Sequence, residues 1–344
     1  MTNEKESYPI ALASVAMILF LILISSVASA YSEQSASPTI TETQITANRS
    51  ASSPAIFGDK IVYQDSLNGT SDVYMYDLFI SKETRITTNG SVLGRPSIYG
   101  DRIVWQDTRN GNSDIYMYNL SSKKEIRITA NGSAYNPAIY GDRIVWENRS
   151  AESSDIYVYD LSTSRKTQIT ASRSNELAYN PAIYGDRIVW QNYLNGNWDI
   201  YMYDFSTSNK TRITTSGSAT GPSIYGDRVV WINSLNATTD IYSYDLLTSN
   251  KTLVTTSGAA YSPVIDGDRI AYQDIRNGNP DIYMYNISTK IETQITTSGS
   301  AYSPVIYGDR IIYQDYRNGN SDIYMATIYG EEPEIPIADF SSVE

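Results

Sequence analysis

Cysteine and histidine are both absent from this chain of 344 residues. Without histidine, the sequence cannot form a Ser-His-Asp triad, a Cys-His pair or an imidazole site for zinc or iron. Without cysteine, a disulfide framework, a thiolate nucleophile and a thiolate-bound cluster are excluded as well. Any catalysis would therefore have to use carboxylates, tyrosine, lysine or a hard metal ion.

Basic residues and phenylalanine are scarce. Lys and Arg number 26 against 38 Asp and Glu, so the formal net charge is −12. Because nucleic-acid affinity comes from neutralising phosphates, we expect no nucleic-acid partner. Only five Phe accompany 30 Tyr. Tyrosine packs like other aromatics while keeping a wettable hydroxyl, which suits strands that lie close to solvent.

Long hydrophobic runs are also scarce, and the one present lies at the N-terminus. Lys5 precedes IALASVAMILFLILISSVASA, which ends in small residues at Ala28-Ser29-Ala30. This pattern predicts a cleaved signal peptide over residues 1–30. The run is also long enough to span a bilayer, so an uncleaved membrane anchor is the alternative. In both cases the rest of the chain is expected to be extracellular, at the cell surface, with no other membrane contact.

A sevenfold repeat occupies most of the remaining chain. A Gly-Asp pair recurs every 41 to 44 residues, and a proline stands four residues before each glycine. The glycines are Gly58, Gly100, Gly141, Gly185, Gly226, Gly267 and Gly308. A fixed period of this length is typical of repeat architectures in which each repeat is one supersecondary unit.

Each repeat is predicted to contain four short strands, typified by PAIYG, RIVWQ, DIYMY and TRIT. Gly-Asp joins the first two strands as a type II′ hairpin, and Asn-Gly joins the second to the third. The second and third strands are apolar on both faces, so both faces are expected to be covered by neighbouring sheets. Four-stranded antiparallel sheets stacked in this way form a β-propeller.

The ends of the repeat array predict how the fold closes. ETQIT at Glu42 to Thr46 precedes the first repeat, whereas the seventh repeat lacks a fourth strand. A strand at about 42–46 is therefore expected to complete the last blade, because an unpaired sheet edge is a liability. The sequence thus predicts an all-β fold, a seven-bladed β-propeller over residues 41–328.

The DIYMY and TQIT strands resemble the TolB-type propeller repeat, although Tyr-Gly-Asp-Arg stands where TolB repeats typically have Ser-Pro-Asp-Gly. This variant, behind a signal segment, resembles secreted propellers of methanogenic archaea, surface-layer-like proteins that join propellers to PKD domains. The tail PEIPIADFSSVE from Pro333 resembles the opening of a PKD module. Residues 329–344 are accordingly interpreted as a linker and a truncated PKD-like start.

Acidic residues are expected to face one another across the hairpins between the second and third strands. Two interpretations are open: calcium held by oxygen ligands, or turn scaffolding through hydrogen bonds to backbone N–H groups. Free exchange of Asp for Asn and the lack of a third carboxylate favour scaffolding, with no cofactor. The pairs are Asp65/Asp72, Asp107/Asp114, Asp274/Asp281, Asp315/Asp322, Asn148/Asp155, Asn192/Asp199 and Asn233/Asp240. The calcium alternative would use Asp107, Asp114, Asp274, Asp281, Asp315 and Asp322.

One end of the predicted propeller collects candidate ligand-binding residues. Tyrosines just before the first strands and arginines at the hairpin tips suit glycans or extended polymers; alternatively, the tyrosines wedge neighbouring blades together. These residues are Tyr135, Tyr179, Tyr261, Tyr302, Arg109, Arg276 and Arg317. At the opposite end, Arg follows Gly-Asp in six of seven repeats, which predicts a solvated or salt-bridged rim.

Ten N-x-Ser/Thr sequons are candidate glycosylation sites of an exported protein. They are Asn48, Asn68, Asn89, Asn119, Asn131, Asn148, Asn209, Asn236, Asn250 and Asn286.

These features favour a non-catalytic cell-surface propeller that binds or spaces envelope glycans or proteins. Near-identical repeats argue against an enzyme, because catalysis usually needs one asymmetric site. The alternative is a carbohydrate-active enzyme, a polysaccharide lyase or glycosidase that uses carboxylates on the propeller face. The TolB resemblance implies His and metal ligands for a lyase, which this chain lacks. A TolB-like partner in an envelope-spanning machine is disfavoured, because the expected N-terminal domain is missing.

Overall fold

The structure, a computed structural model, describes residues 38–47, 49–66, 69–171 and 176–330. Residues Ile40–Tyr329 form one compact unit. The predicted signal segment (1–30) and the PKD-like start from Pro333 lie outside the described residues. Within the described ranges, no helix is long and apolar enough to cross a membrane.

All regular elements in the described part of the chain are β-strands. Their bounds are β1 (Thr39–Gln44), β2 (Ala51–Phe57), β3 (Lys60–Asp65), β4 (Asp72–Asp77), β5 (Lys82–Arg85), β6 (Val92–Tyr99), β7 (Arg102–Asp107), β8 (Asp114–Asn119), β9 (Lys124–Arg127), β10 (Ala134–Tyr140), β11 (Arg143–Arg149), β12 (Ser154–Asp160), β13 (Arg165–Gln168), β14 (Leu177–Tyr184), β15 (Arg187–Leu194), β16 (Asn197–Asp204), β17 (Asn209–Arg212), β18 (Ala219–Tyr225), β19 (Arg228–Leu235), β20 (Thr238–Asp245), β21 (Lys251–Leu253), β22 (Ala260–Asp266), β23 (Arg269–Asp274), β24 (Asp281–Asn286), β25 (Glu292–Gln294), β26 (Ala301–Tyr307), β27 (Arg310–Asp315) and β28 (Asp322–Tyr329).

The strands pair antiparallel in consecutive groups of four, which we call repeats 1 to 6 (β2–β5, β6–β9, β10–β13, β14–β17, β18–β21 and β22–β25). Repeats 3 and 4 are also joined by one parallel bridge, between Ser154 and Leu177. The first strands of successive repeats contact one another, and β26 also contacts β2. The 28 strands fit seven blades of four.

Repeat 7 contains β26, β27 and β28, and its fourth strand is β1 from the other end of the chain. The predicted pairing is therefore present, with the strand at Thr39–Gln44 rather than at about 42–46. It ends early because the N–H groups of Ile45 and Thr46 both donate to the Ile323 carbonyl, at 2.8 and 3.2 Å. Ile86 and Thr87 share the Val73 carbonyl in the same way in repeat 1.

The Gly-Asp turns have the backbone conformation that the sequence predicts. The seven turn glycines have φ between 55° and 60°, whereas none of the following aspartates has a positive φ. A type II′ turn needs a positive φ only at its first central position, which glycine adopts without steric cost.

The core lies between neighbouring sheets, because the second and third strands are buried on both faces. One aromatic side chain per repeat is buried at the same place in the second strand: Tyr63, Trp105, Trp146, Trp190, Trp231, Tyr272 and Tyr313. Each stacks on a third-strand tyrosine, as Trp105 does on Tyr116 with ring centroids 6.2 Å apart. Burying such a ring removes about 150–250 Å² from water, so these stacks supply much of the packing energy.

Candidate functional site

The hairpin carboxylates have the register that the sequence predicts. Asp107 pairs directly with Asp114, and the other six pairs have the same register. Both Asp107 oxygens accept hydrogen bonds: Oδ1 from Ser91 Oγ (2.6 Å) and Arg109 N (2.8 Å), and Oδ2 from Trp105 Nε1 (3.1 Å). Burial raises the pKa of Asp107, but hydrogen bonds from Arg109 and Ser91 outweigh it and hold the pKa below its usual value.

The second carboxylate of each pair binds the fourth strand and the loop after it. Asp114 Oδ1 accepts from Thr129 Oγ1 at 2.9 Å and from Gly132 N at 3.1 Å, while Oδ2 accepts from Arg127 at 2.5 Å. These contacts explain why the fourth strand reads TRIT and why glycine follows it. They match the scaffolding interpretation. Within the described ranges, no group of three or more Asp or Glu side chains has metal-binding geometry.

The three hairpin-tip arginines form ion pairs within their own repeats. Arg109 binds Asp107 Oδ2 at 2.6 Å and Glu125 at 2.5 Å, and its guanidinium lies 4.1 Å from the Tyr116 ring centroid. Arg276 repeats this arrangement with Asp274, Glu292 and Tyr283, and Arg317 with Asp315, Glu42 and Tyr324. Their part in ligand binding stays a prediction, while the contacts give them a structural role.

The four candidate tyrosines lie inside the first strands, not before them as the sequence analysis expected. Tyr135 is the second residue of β10 and pairs with Glu147. The strand continues through a bulge between Tyr135 and Ala138, where Asn136 has a φ of 50°. Because the bulge accommodates the residue before proline, the strand starts earlier than the PAIYG motif indicates.

Repeat 3 departs from the common pattern, with Glu147 and Arg149 in its second strand. The Glu147 side chain is fully buried, and Oε2 accepts from Arg149 at 2.8 and 2.6 Å. Oε1 accepts from Asn136 Nδ2 at 2.8 Å and from the backbone N–H of Asn180 at 2.7 Å. Glu147 therefore links the first strands of repeats 3 and 4 and fixes the position of Arg149.

Arg149 brings two of the candidate tyrosines together. Its guanidinium carbon lies 4.4 Å from the Tyr135 ring centroid and 5.2 Å from that of Tyr179. Tyr179 contacts Trp198 at 6.0 Å, and Trp198 contacts Tyr193 at 4.9 Å. All five side chains are partly exposed. We call Tyr135, Arg149, Tyr179, Trp198 and Tyr193 the aromatic platform.

The other two candidate tyrosines are outside this cluster. Tyr302 makes an edge contact with Tyr316 at 5.6 Å. Tyr261 of repeat 6 occupies the same strand position, paired with Gln273, and is partly exposed. The structure therefore brings together Tyr135 and Tyr179 alone from the predicted set. Sequence reasoning missed Arg149, Trp198 and Tyr193, although ENRSAESS in repeat 3, where repeat 2 reads QDTRNGNS, was a signal of asymmetry.

At the opposite end, the Gly-Asp turns form ion pairs between repeats. Arg102 binds Asp142 of the next repeat at 2.6 Å, and Arg310 of repeat 7 binds Asp59 of repeat 1 at 2.7 Å. Arg143–Asp186 and Arg187–Asp227 follow the same rule. The salt-bridged form of the predicted rim is therefore present at these positions, and each exposed pair is worth less than about 1 kcal/mol.

A belt of aromatic rings lies just before these turns, at the last residue of the first strands. Phe57 contacts Tyr99 at 4.6 Å and Tyr307 at 5.3 Å, and the contacts continue through Tyr140, Tyr184 and Tyr225 at 4.5–4.7 Å. Repeat 6 has Asp266 at this position, and Asp266 Oδ2 accepts from Gly308 N at 2.6 Å. Burial raises the pKa of Asp266.

Most of the described sequons lie at exposed turns or strand ends. Asn89, Asn131, Asn209, Asn236 and Asn250 are exposed. Asn119 is partly exposed and accepts from Ser122, and Asn148 accepts from Asn131 and Ser133. Asn286 is buried and accepts from the N–H groups of Ser288 and Thr289, so its glycosylation would require this turn to open. Asn48 and Asn68 lie outside the described residues.

No family model and no curated protein matches the chain. Among solved structures, it is similar to an oligogalacturonate lyase in complex with manganese (TM-score 0.67, 16% identity, covering 86% of this chain and 95% of the other). It is also similar to the β-propeller domain of the Trilobed protease from Pyrococcus furiosus, described as having an open velcro topology (TM-score 0.65, 12% identity, covering 86% of this chain and 98% of the other). A third similar structure is TolB from Acinetobacter baumannii (TM-score 0.53, 17% identity, covering 70% of this chain and 64% of the other).

These likenesses show that the fold is a β-propeller. The fold is similar to that of TolB, and the structural neighbours include enzymes as well as TolB. Because one fold supports many activities, the function depends on the site that the fold carries.

Proposed function

We propose that the chain is a non-catalytic, extracellular seven-bladed propeller that binds envelope glycans or surface proteins, with the aromatic platform as its glycan contact. The observation that carries this proposal is the platform itself. Four partly exposed aromatic rings and an arginine lie in contact on repeats 3 and 4. Aromatic faces beside polar groups bind sugar rings through their apolar C–H surfaces, and the rings lose little conformational entropy on binding.

Closure of the propeller supports a rigid scaffold beneath this surface. β1 completes repeat 7. Phe57 of repeat 1 contacts Tyr307 of repeat 7, and Asp59 of repeat 1 forms an ion pair with Arg310 of repeat 7. Ile61 and Ile312, from the same two repeats, belong to one buried cluster. Sites held on packed strands keep their geometry better than sites on loops.

A carbohydrate-active enzyme is the alternative, and the likeness to an oligogalacturonate lyase is the observation that favours it. Against it, the most distinctive carboxylate, Glu147, is fully buried and bound to Arg149, Asn136 and Asn180. A glycosidase needs two carboxylates on either side of a cleft that admits the sugar. A polymer that is bound and also shortened on incubation would support the enzyme over the binding module.

The proposal is tested by binding to immobilised xylan, amylose and polygalacturonate, each with calcium and with chelator. Tyr135→Ala and Tyr179→Ala should each weaken retention about fivefold or more, as the loss of a central aromatic contact does. Tyr261→Ala is the matched control, because Tyr261 occupies the same strand position outside the platform. Equal losses in all three variants, or no retention of any polymer, would contradict the proposal and favour a spacer. Loss on chelation alone would support the calcium alternative at the hairpin carboxylates.

A further inference from the structure

Only two charged residues occur on the first strands of the seven repeats, Arg95 on β6 and Asp266 on β22. These strands contact one another from repeat to repeat and line the centre of the fold. Asp266 belongs to the belt near the Gly-Asp turns, whereas Arg95 directly precedes the strand proline. The centre of the fold thus carries a single cationic side chain on its lining strands.

Arg95 results from a one-residue insertion in repeat 2. Three residues, Leu93, Gly94 and Arg95, separate the buried Val92 from Pro96, whereas other repeats have two. Gly94 has a φ of 71° and takes the bulge position that Asn136 occupies in repeat 3. The register accordingly shifts between Leu93 and Ser97. Arg95 is therefore the added residue, with no counterpart elsewhere in the array.

The Arg95 side chain is accessible to water on a strand that contacts the first strands of the neighbouring repeats. It is exposed in the structure, while desolvation lowers the pKa of its guanidinium. The exposed side chain can therefore meet a ligand, and arginine stays protonated at neutral pH.

Arg95 also differs from the arginines described above in its contacts. The arginines of the hairpin tips, the platform and the rim each bind a carboxylate. Among the described residues, the Arg95 side chain forms no ion pair and no hydrogen bond. An accessible guanidinium with no carboxylate partner among the described residues is a favourable partner for a ligand carboxylate, which it binds through two parallel hydrogen bonds.

Part of the platform, Tyr135 and Arg149, lies on the neighbouring repeat 3. A side chain at Gly94 would place its Cβ 4.0 Å from Asn136 Oδ1, and Asn136 in turn donates to Glu147 beneath Arg149. Arg149 itself is neutralised by Glu147, so the platform alone gives little preference between neutral and acidic sugars. A charge preference has to come from outside it.

We infer that Arg95 is a carboxylate subsite and that the polymer bound by the platform is a uronic-acid-containing glycan; this inference rests on the proposed function. The platform stacks the sugar rings, and Arg95 receives a carboxylate of the same chain at the centre of the fold. In a chain of net charge −12, this local cation sets where an acidic polymer binds. The interaction weakens as salt is raised.

The test measures dissociation constants of the full chain for oligogalacturonate, whose carboxyl groups are ionised, and for its methyl ester, whose carboxyl groups are neutral. The acid form should bind about tenfold or more tightly, as expected for a charge-assisted hydrogen-bonded pair. Arg95→Gln should remove this preference and leave affinity for the ester unchanged, whereas Arg95→Lys should retain part of it. Arg165→Gln, an exposed arginine on the outer strand β13, is the matched control and should keep the preference.

The outcomes separate the two proposals. Tyr135→Ala should weaken binding of both the acid and the ester. Equal affinity of the unaltered chain for acid and ester overturns the carboxylate subsite but leaves the glycan-binding proposal standing. A preference that survives Arg95→Gln in a protein of unchanged melting temperature also overturns it. No binding of either form overturns both proposals for this class of glycan.

Discussion

Closure of the propeller by β1 makes a quantitative prediction at Thr46. Its Oγ1 donates to Asp322 Oδ1 at 2.9 Å and accepts from Ile323 N at 2.9 Å, and all three residues are buried. Thr46→Val keeps the shape of the side chain but removes both hydrogen bonds. Because one of them involves a buried carboxylate, the free energy of unfolding should fall by about 3 kcal/mol.

Thr129→Val is the matched control. Thr129 makes the same two contacts, to Asp114 and to the N–H of Ile115, but within a repeat that is continuous in sequence. In urea unfolding monitored by circular dichroism, both variants should lower the midpoint concentration by similar amounts and leave the m-value unchanged. If Thr129→Val destabilises as expected while Thr46→Val costs less than about 0.5 kcal/mol, β1 does not close the fold in solution and the reasoning is refuted.

Four further predictions concern stability. Asp266→Asn should stabilise the protein at pH 7 but not near pH 3. Burial raises the folded pKa of Asp266, so the ionised carboxylate disfavours folding above that pKa. Melting temperatures of both proteins at the two pH values would show the difference. Asp72, Asp107 and Asp315 act oppositely, because hydrogen bonds outweigh burial and lower their pKa values. The ionised carboxylates therefore stabilise the folded protein above about pH 4. This stabilisation should be lost in an acid titration as the pH falls through the pKa values of the folded state. Trp105→Ala should cost about 3–5 kcal/mol in chemical denaturation, and a smaller loss would mean that the cavity collapses. Arg102→Gln should cost less than about 1 kcal/mol and become neutral in 1 M salt, where exposed pairs are screened; a salt-independent loss would point to packing instead.

Much of the fold could be predicted from the sequence because each repeat carries its own local signals. Gly-Asp at Gly100 specifies a hairpin through its positive φ, and the apolar second and third strands require sheets on both sides. The register of Asp107 with Asp114 follows from the number of residues between them. TQIT at the start of the chain and the missing fourth strand of repeat 7 together predicted a pairing of residues 270–280 apart in sequence.

The candidate site could be predicted only in part. Tyr135 and Tyr179 were identified, but their contact through Arg149 depends on Glu147 accepting from Asn180, 33 residues away in the next repeat. No local pattern states which side chains of two repeats meet. Arg109, Arg276 and Arg317 illustrate the converse, since their tip positions indicated ligand contacts and the structure gives each of them two carboxylate partners.

The strand order, the turns, the hairpin register and the strand that completes the last repeat can be predicted from the sequence, because they depend on short-range periodicity and backbone conformation. Which polar groups are paired and which remain accessible depends instead on how the strands pack in three dimensions. Arg149 and Arg95 both lie on strands, but Arg149 is neutralised by the buried Glu147, whereas Arg95 has no carboxylate partner in the part of the chain that the structure describes. Glu147 is itself held by Asn136 and by Asn180 of the next repeat, contacts that exist only once the repeats pack against one another.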